Sequence, residues 1–262
     1  MTLKKLDKYG LIPLKNNNIH LSNSVHIFVN GFMSDEDDES LFLEWLEGFK
    51  YIIPPSDKLY LFRWDSGLDY TKIKNHLPFN NGIKQDLKKT INLAIGKVHP
   101  LLTVATLPIF FLDEWKTANS NSTQYGELLA EDLIKLAFNK IYLYGHSLGT
   151  NLLKNALMKL YKENIFIEKV FLFGGASCSK DINEWSKICN ITNQGIYNFY
   201  TRKDWVLDNL YKLAELNSKP IGLEPLFLTD TFKIFNYDVS YTVNGHFDYK
   251  KNLPTIFRNL KY

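Results

Sequence analysis

The chain has 262 residues, of which 45% are hydrophobic, 23% charged and 15% aromatic, with a formal net charge of +3. Apolar content of this size builds one large core, so extended disorder is excluded and a single domain over 1–262 is expected. Lysines and arginines are interspersed with acidic residues and form no basic block, which argues against nucleic-acid binding.

The opening stretch MTLKKLDKYGLIPLKNNN is basic but holds no apolar run ahead of a small-residue cleavage site, so it does not read as a signal peptide. Cys178 and Cys189 are spaced for neither zinc nor a disulfide framework, and a reducing, cytoplasmic setting is expected. The glycosylation patterns at Asn121 and Asn190 are then read as chance. VHIFVNGF, at 25–32, alternates apolar residues and stops at a glycine, which predicts a strand running into a loop. The acidic run after it, with Ser34 as N-cap candidate and Leu41, Trp45, Leu46 and Phe49 at helical spacing, is a helix start and lacks the ligand pattern of a metal site. KLYLFRW, at 58–64, is a second strand.

The stretch 66–137 reads as a helical insertion and lid candidate, ending in the amphipathic helix TQYGELLAEDLIKLAF. Within it VHPLLTVATLPIFFL, at 98–112, is the longest apolar run. Two prolines and a histidine make it a poor membrane span, which takes about 20 apolar residues. It is either a buried helical segment or a lid and acyl-binding wall able to touch a lipid surface transiently. KIYLYG then predicts a strand, LGTNLLKNALMKLYKEN a helix, and EKVFLFG, GIYNFYT (195–201) and DVSYTV (238–243) further strands. Short apolar strands alternating with helices indicate an α/β fold, a mostly parallel central sheet with helices on both faces and its ligand site beyond the carboxyl ends of the strands.

At one such end Gly145, His146, Ser147, Leu148 and Gly149 form G-x-S-x-G. Average composition supplies a bare match in roughly 5 to 10% of chains this long, so the context has to carry the reading. The motif lies between a strand and a helix, where a nucleophile elbow exposes its serine on a tight turn. A serine hydroxyl needs a histidine base and an orienting acid, in the order Ser, acid, His on this scaffold. Of six histidines, His20, His26, His76, His99 and His146 precede the serine, which leaves His246 in VNGHFDY as the base. Asp204, after a strand and before a helix, is the acid, with Asp181 the main competitor and Asp230 and Asp238 behind it. The competing role for Asp204 is a helix N-cap, and capping and orienting are expected to exclude each other. Gly31 lets the backbone after the first clear strand turn toward the site; the N–H groups of Phe32 and Leu148, with Met33 as second choice, are the oxyanion-hole candidates.

The strand-GHSLG-helix unit resembles the α/β-hydrolase superfamily. The longer strings VNGFMSDEDD, RKDWVLDNLY, GLEPL and NGHFDY are similar to the branch that includes the hydrolase-like domains of transmembrane and coiled-coil domain proteins. The resemblance runs from about residue 25 to 253 and implies the α/β-hydrolase fold and a Ser147, Asp204, His246 triad. The expected activity is a serine hydrolase acting on carboxylic esters, with lipid or acyl esters favoured by the aromatic content and the apolar 98–112 run; thioesters stay open, and no metal or organic cofactor is required. The competing class is a non-catalytic domain of the same fold that binds a lipid or a protein.

Overall fold

Aliphatic and aromatic residues alternate along the central strands, and this alternation decides what packs on each face. The computed structural model describes residues 9–13, 23–32, 38–67, 109–136, 138–211, 215, 218–228 and 232–259. Seven strands form one sheet: β1 (Gly10–Pro13), β2 (Ser24–Val29), β3 (Lys58–Arg63), β4 (Lys140–His146), β5 (Lys169–Phe173), β6 (Ile196–Tyr200) and β7 (Ile234–Asp238), in the spatial order β1-β3-β2-β4-β5-β6-β7. All neighbours run parallel except β1, which pairs antiparallel with β3 at the edge. The helices are α1 (Asp38–Phe49), α2 (Ile109–Leu136), α3 (Gly149–Lys162), α4 (Ile182–Asn190) and α5 (Tyr249–Asn259).

Successive side chains of a strand point to opposite faces. Val25, Ile27 and Val29 of β2, Ile141 and Leu143 of β4, and Val170 and Leu172 of β5 form one face, packed with Leu129 and Leu133 of α2, Leu152, Leu153 and Leu157 of α3, and Trp185 of α4. The opposite face carries Phe28, Tyr144, Phe171, Tyr197 and Phe199 against Trp45 and Phe49 of α1 and Tyr249, Leu253, Ile256 and Phe257 of α5. Strand register places Phe28, Tyr144, Phe171, Tyr197 and Phe235 side by side, and their rings stack across five strands at centroid spacings of 4.7, 4.8, 5.0 and 4.9 Å. Part of the aromatic content that suggested an acyl pocket therefore serves the sheet: five of the 38 Phe, Tyr and Trp residues build this ladder.

Two expectations change. The last strand is Ile234–Asp238 and not 238–243: the N–H of Val243 donates to the Val239 carbonyl at 2.8 Å, so this stretch coils. Val239 and Val243 are buried and Tyr241 is exposed, a period of four that mimics strand alternation in V-x-Y-x-V. The insertion expected at 66–137 divides: 68–108, with most of the apolar 98–112 run, lies outside the described residues, while α2 is a layer helix of the scaffold. Its Trp115, Ala118, Leu129, Ala130 and Leu133 are buried, and Gly126 lies so close to α3 that a Cβ there would stand 2.6 Å from the Leu152 carbonyl oxygen. Ser34 also lies outside the described residues. Among the described residues, no helix is long and apolar enough to cross a membrane, and no group of three or more His, Cys, Asp or Glu could hold a metal.

Candidate active site

Ser147 stands between β4 and α3 with φ of +55°, in the left-handed region. A residue other than glycine is held there only when its surroundings over-determine it. Its N–H donates to the Phe173 carbonyl at 3.1 Å; its own carbonyl accepts from the N–H groups of Thr150 and Ala176, each at 3.0 Å, and from the Thr150 hydroxyl at 2.7 Å. The turn is thus tied to β5 on one side and to the first turn of α3 on the other, which presents the hydroxyl at the carboxyl end of the sheet.

Bare positions let other backbones approach. A Cβ on Gly149 would lie 2.5 Å from the Val29 carbonyl oxygen, so α3 starts against the end of β2 only because none is there. A Cβ on Gly31 would lie 2.5 Å from the Ser147 Cβ and 2.9 Å from its Oγ, so the loop after β2 runs directly past the serine. Phe32 follows, half-buried and edge-on to Trp115 with ring centroids 5.5 Å apart. Leu148, fully buried, opens α3, where backbone N–H groups have no acceptor within the helix. Met33, the second choice for an oxyanion donor, lies outside the described residues.

His246 begins a short 3-10 turn (His246–Asp248) that leads into α5. Its Nε2 is 2.7 Å from Ser147 Oγ and its Nδ1 is 2.7 Å from Asp204 Oδ2. Ser147 and His246 are buried and Asp204 has no exposed surface, so the pairs are shielded from bulk water. Asp204 follows β6, and its other oxygen, Oδ1, accepts the N–H of Leu207 at 3.0 Å. The cap and the contact to His246, expected to exclude each other, are therefore made by the two oxygens of one carboxylate. The alternatives are elsewhere: Asp181 heads α4 in an ion pair with Lys154, Asp238 accepts from the N–H of Ser240 at 3.0 Å, and Asp230 lies outside the described residues.

The residue between Gly145 and Ser147 is also in the site. His146 is buried and its Nε2–H donates to the main-chain carbonyl of His246 at 3.0 Å, with the two rings 5.0 Å apart. Burial, and then the nearby His246 and Lys250, hold its pKa well below the ordinary histidine range, which keeps the ring neutral. Two further supports, Asn30 and Gly222, lie in the strings VNGFMSDEDD and GLEPL that carry the family resemblance, but the sequence assigns neither residue a role. Asn30 is held by two indoles, Trp45 Nε1–H to its Oδ1 and Trp64 Nε1–H to its carbonyl, both at 2.8 Å, which fixes the start of the Gly31 loop. Gly222 accepts from Thr201 N–H at 3.1 Å and donates to the Gly175 carbonyl at 2.9 Å, bracing the segment that carries Asp204 against the one that touches Ser147.

An uncharacterized membrane protein of Caenorhabditis elegans is 32% identical over 146 residues, covering 54% of this chain and 24% of its own length. A probable lipase of Saccharomyces cerevisiae, MIL1, is 24% identical over 257 residues, covering 92% of this chain and 23% of its own. The chain thus spans about a quarter of the length of these curated relatives. Among solved structures, TT1662 from Thermus thermophilus matches with a TM-score of 0.44 at 13% identity, over 92% of this chain and 89% of its own. The esterase Pf2001 of Pyrococcus furiosus matches with a TM-score of 0.41 at 11% identity, over 100% of this chain and 93% of its own. The parallel sheet with an antiparallel edge, helices on both faces and a serine turn after β4 make this an α/β-hydrolase fold, and the match of the family described as "Protein of unknown function (DUF726)" over residues 1–262 shows that the chain belongs to that family.

Proposed function

We propose that the protein is a serine hydrolase that cleaves carboxylic esters of lipids or other acyl chains through an acyl-enzyme. The observation that carries this reading is the continuous line of 2.7 Å contacts from Ser147 Oγ through His246 to Asp204, on a serine held at positive φ. In the first half-reaction Ser147 Oγ attacks the ester carbonyl carbon while its proton passes to His246 Nε2. The N–H groups of Leu148 and Phe32 meet the negative charge that develops on the carbonyl oxygen. Asp204 keeps the proton on Nδ1 of His246, so that Nε2 is free to accept. The C–O bond of the ester breaks as the imidazolium returns its proton to the leaving alkoxide. Water, activated by the same nitrogen, then cleaves the acyl-enzyme and restores the serine.

The preference for acyl or lipid esters is supported by the relative named a probable lipase, which aligns with 92% of this chain. A fluorophosphonate probe tests the reading. Labelling should fall on Ser147 and vanish in Ser147→Ala and His246→Ala, and Ser147→Ala should lower hydrolysis of p-nitrophenyl butyrate by about 10⁴-fold or more without unfolding the protein. A folded wild-type protein that neither labels nor hydrolyses esters would sink the proposal and favour a binding domain.

A further inference from the structure

The serine and the base are brought together by two separate loops 99 residues apart in sequence. The serine turn is tied to β5, to Ala176 just after it and to the first turn of α3, whereas the base belongs to a short connection between β7 and α5. At the tip of that connection Gly245 is extended, and a Cβ built on it would meet nothing within 4 Å. Its flanks are fastened by contacts near the surface: Lys203 Nζ to Asn244 Oδ1 at 3.0 Å and Asn244 N–H to Asp248 Oδ2 at 3.2 Å. A deeper tie runs from Thr201 Oγ1 to the Val243 carbonyl at 3.1 Å. The peptide that precedes His246 is closed locally by the Asp248 N–H on the Gly245 carbonyl at 3.1 Å, and the side chain that reaches the His246 carbonyl from outside this connection is that of His146, the residue next to the nucleophile.

We infer that His146 is a positioning residue: its Nε2–H, bonded to the main-chain carbonyl of His246, sets the distance between the base and Ser147. One dipeptide, His146-Ser147, then carries the nucleophile on one residue and the anchor of its base on the next, so any shift of the β4 end moves both together. The donor must keep its proton on Nε2, and the neutral state imposed by burial leaves Nδ1 as the bare nitrogen. A neutral ring also adds no second positive charge when His246 takes the serine proton, 5.0 Å away between ring centroids. A misplacement of the base by a fraction of an ångström to 1 Å is enough to lower rate by about 10- to 100-fold with little effect on substrate affinity.

This inference rests on the serine-hydrolase reading, and the test separates the two. Wild type, His146→Gln, His146→Asn and His146→Leu are compared for the rate of fluorophosphonate labelling, for kcat and KM on p-nitrophenyl butyrate, and for melting temperature. His146→Gln, which can reach the carbonyl with an amide N–H, should keep labelling and kcat within about threefold of wild type. His146→Asn, one methylene too short, and His146→Leu, without a donor, should lose about 10- to 100-fold in both while KM stays within about twofold. If Leu does not fold, the contrast between Gln and Asn, matched in chemistry and different in reach, decides the matter. Equal rates in Gln and Asn, or a folded His146→Leu with wild-type rates, would overturn the positioning role and leave the hydrolase intact. A change confined to KM would do the same. Absence of labelling in the folded wild type would instead remove the hydrolase reading and the inference with it.

Discussion

Asp204 has two oxygens and gives each a different task, with Oδ1 on the Leu207 N–H at 3.0 Å and Oδ2 on His246 Nδ1 at 2.7 Å. This separates two substitutions that would otherwise look alike. Asp204→Asn keeps an oxygen for Leu207 but presents an amide N–H to His246 or forces the wrong tautomer on it; activity should fall by about 10⁴-fold with a small change in stability. Asp204→Ala removes the cap as well, adding a loss of about 1 to 2 kcal/mol in unfolding free energy. Turnover and chemical denaturation measured on both variants check the pair, and equal stabilities for Asn and Ala would contradict the capping role. From the sequence, Ser147, Asp204 and His246, the three residues that the structure brings together, were legible by order and by position at strand ends. The division of labour in Asp204 was not, because a residue type carries no information on which of its atoms faces which partner. The same blindness hid His146, which the sequence offers as the variable letter of a motif.

The aromatic ladder belongs to the scale of elements. Phe171 lies at its middle, stacked on Tyr144 with centroids 4.8 Å apart and on Tyr197 at 5.0 Å, and is buried; Phe235 closes the row at the edge strand and is 38% exposed. Truncating the middle should cost far more than truncating the end: Phe171→Ala about 3 to 5 kcal/mol and Phe235→Ala about 1 kcal/mol, as the buried ring loses transfer energy, leaves a cavity and breaks two stacked pairs. Urea midpoints of the two variants measure the difference, and comparable losses would argue against a ladder continuous through the sheet. The strand positions were legible in the sequence because aliphatic and aromatic residues share the apolar run of a strand buried on both faces. Which of the two residue classes met which helices depended on strand register and on the crossings, and these are set by contacts between segments far apart in sequence. The last strand shows the opposite failure: Val239, Tyr241 and Val243 alternate as in a strand, yet the chain coils there and only the two valines are buried. The four residues of β1 gave no periodic signal at all, and Pro13 is tolerated because this strand lies at the sheet edge.

Across the whole molecule, two buried imidazoles make stability depend on pH. His26 accepts at Nδ1 from the Tyr144 hydroxyl at 2.8 Å and donates from Nε2 to Asp57 Oδ2 at 3.0 Å, a pattern that suits the neutral ring; burial lowers its pKa, and Asp57 offsets part of that. His146 is lowered further, by burial first and then by His246 and Lys250. In the unfolded chain both return to the ordinary value of 6.5. Between that value and the lower one of the folded state, the unfolded chain binds protons that the folded chain does not. Unfolding free energy therefore holds its full value above about pH 6.5 and declines as pH falls through the folded-state values, with a limiting slope of about 1.4 kcal/mol per pH unit for each proton. Guanidinium denaturation followed from pH 8 to pH 5 should show a midpoint that is flat at first and then falls. His26→Gln, which cannot take up a proton, should begin less stable at pH 8 because an amide does not reproduce both hydrogen bonds, and should decline less steeply than the wild type below pH 6.5. A midpoint that rose on acidification in the wild type but not in His26→Gln would show that the link to Asp57 outweighs burial at His26, and equal slopes would show that its pKa is the same in the folded and unfolded chain.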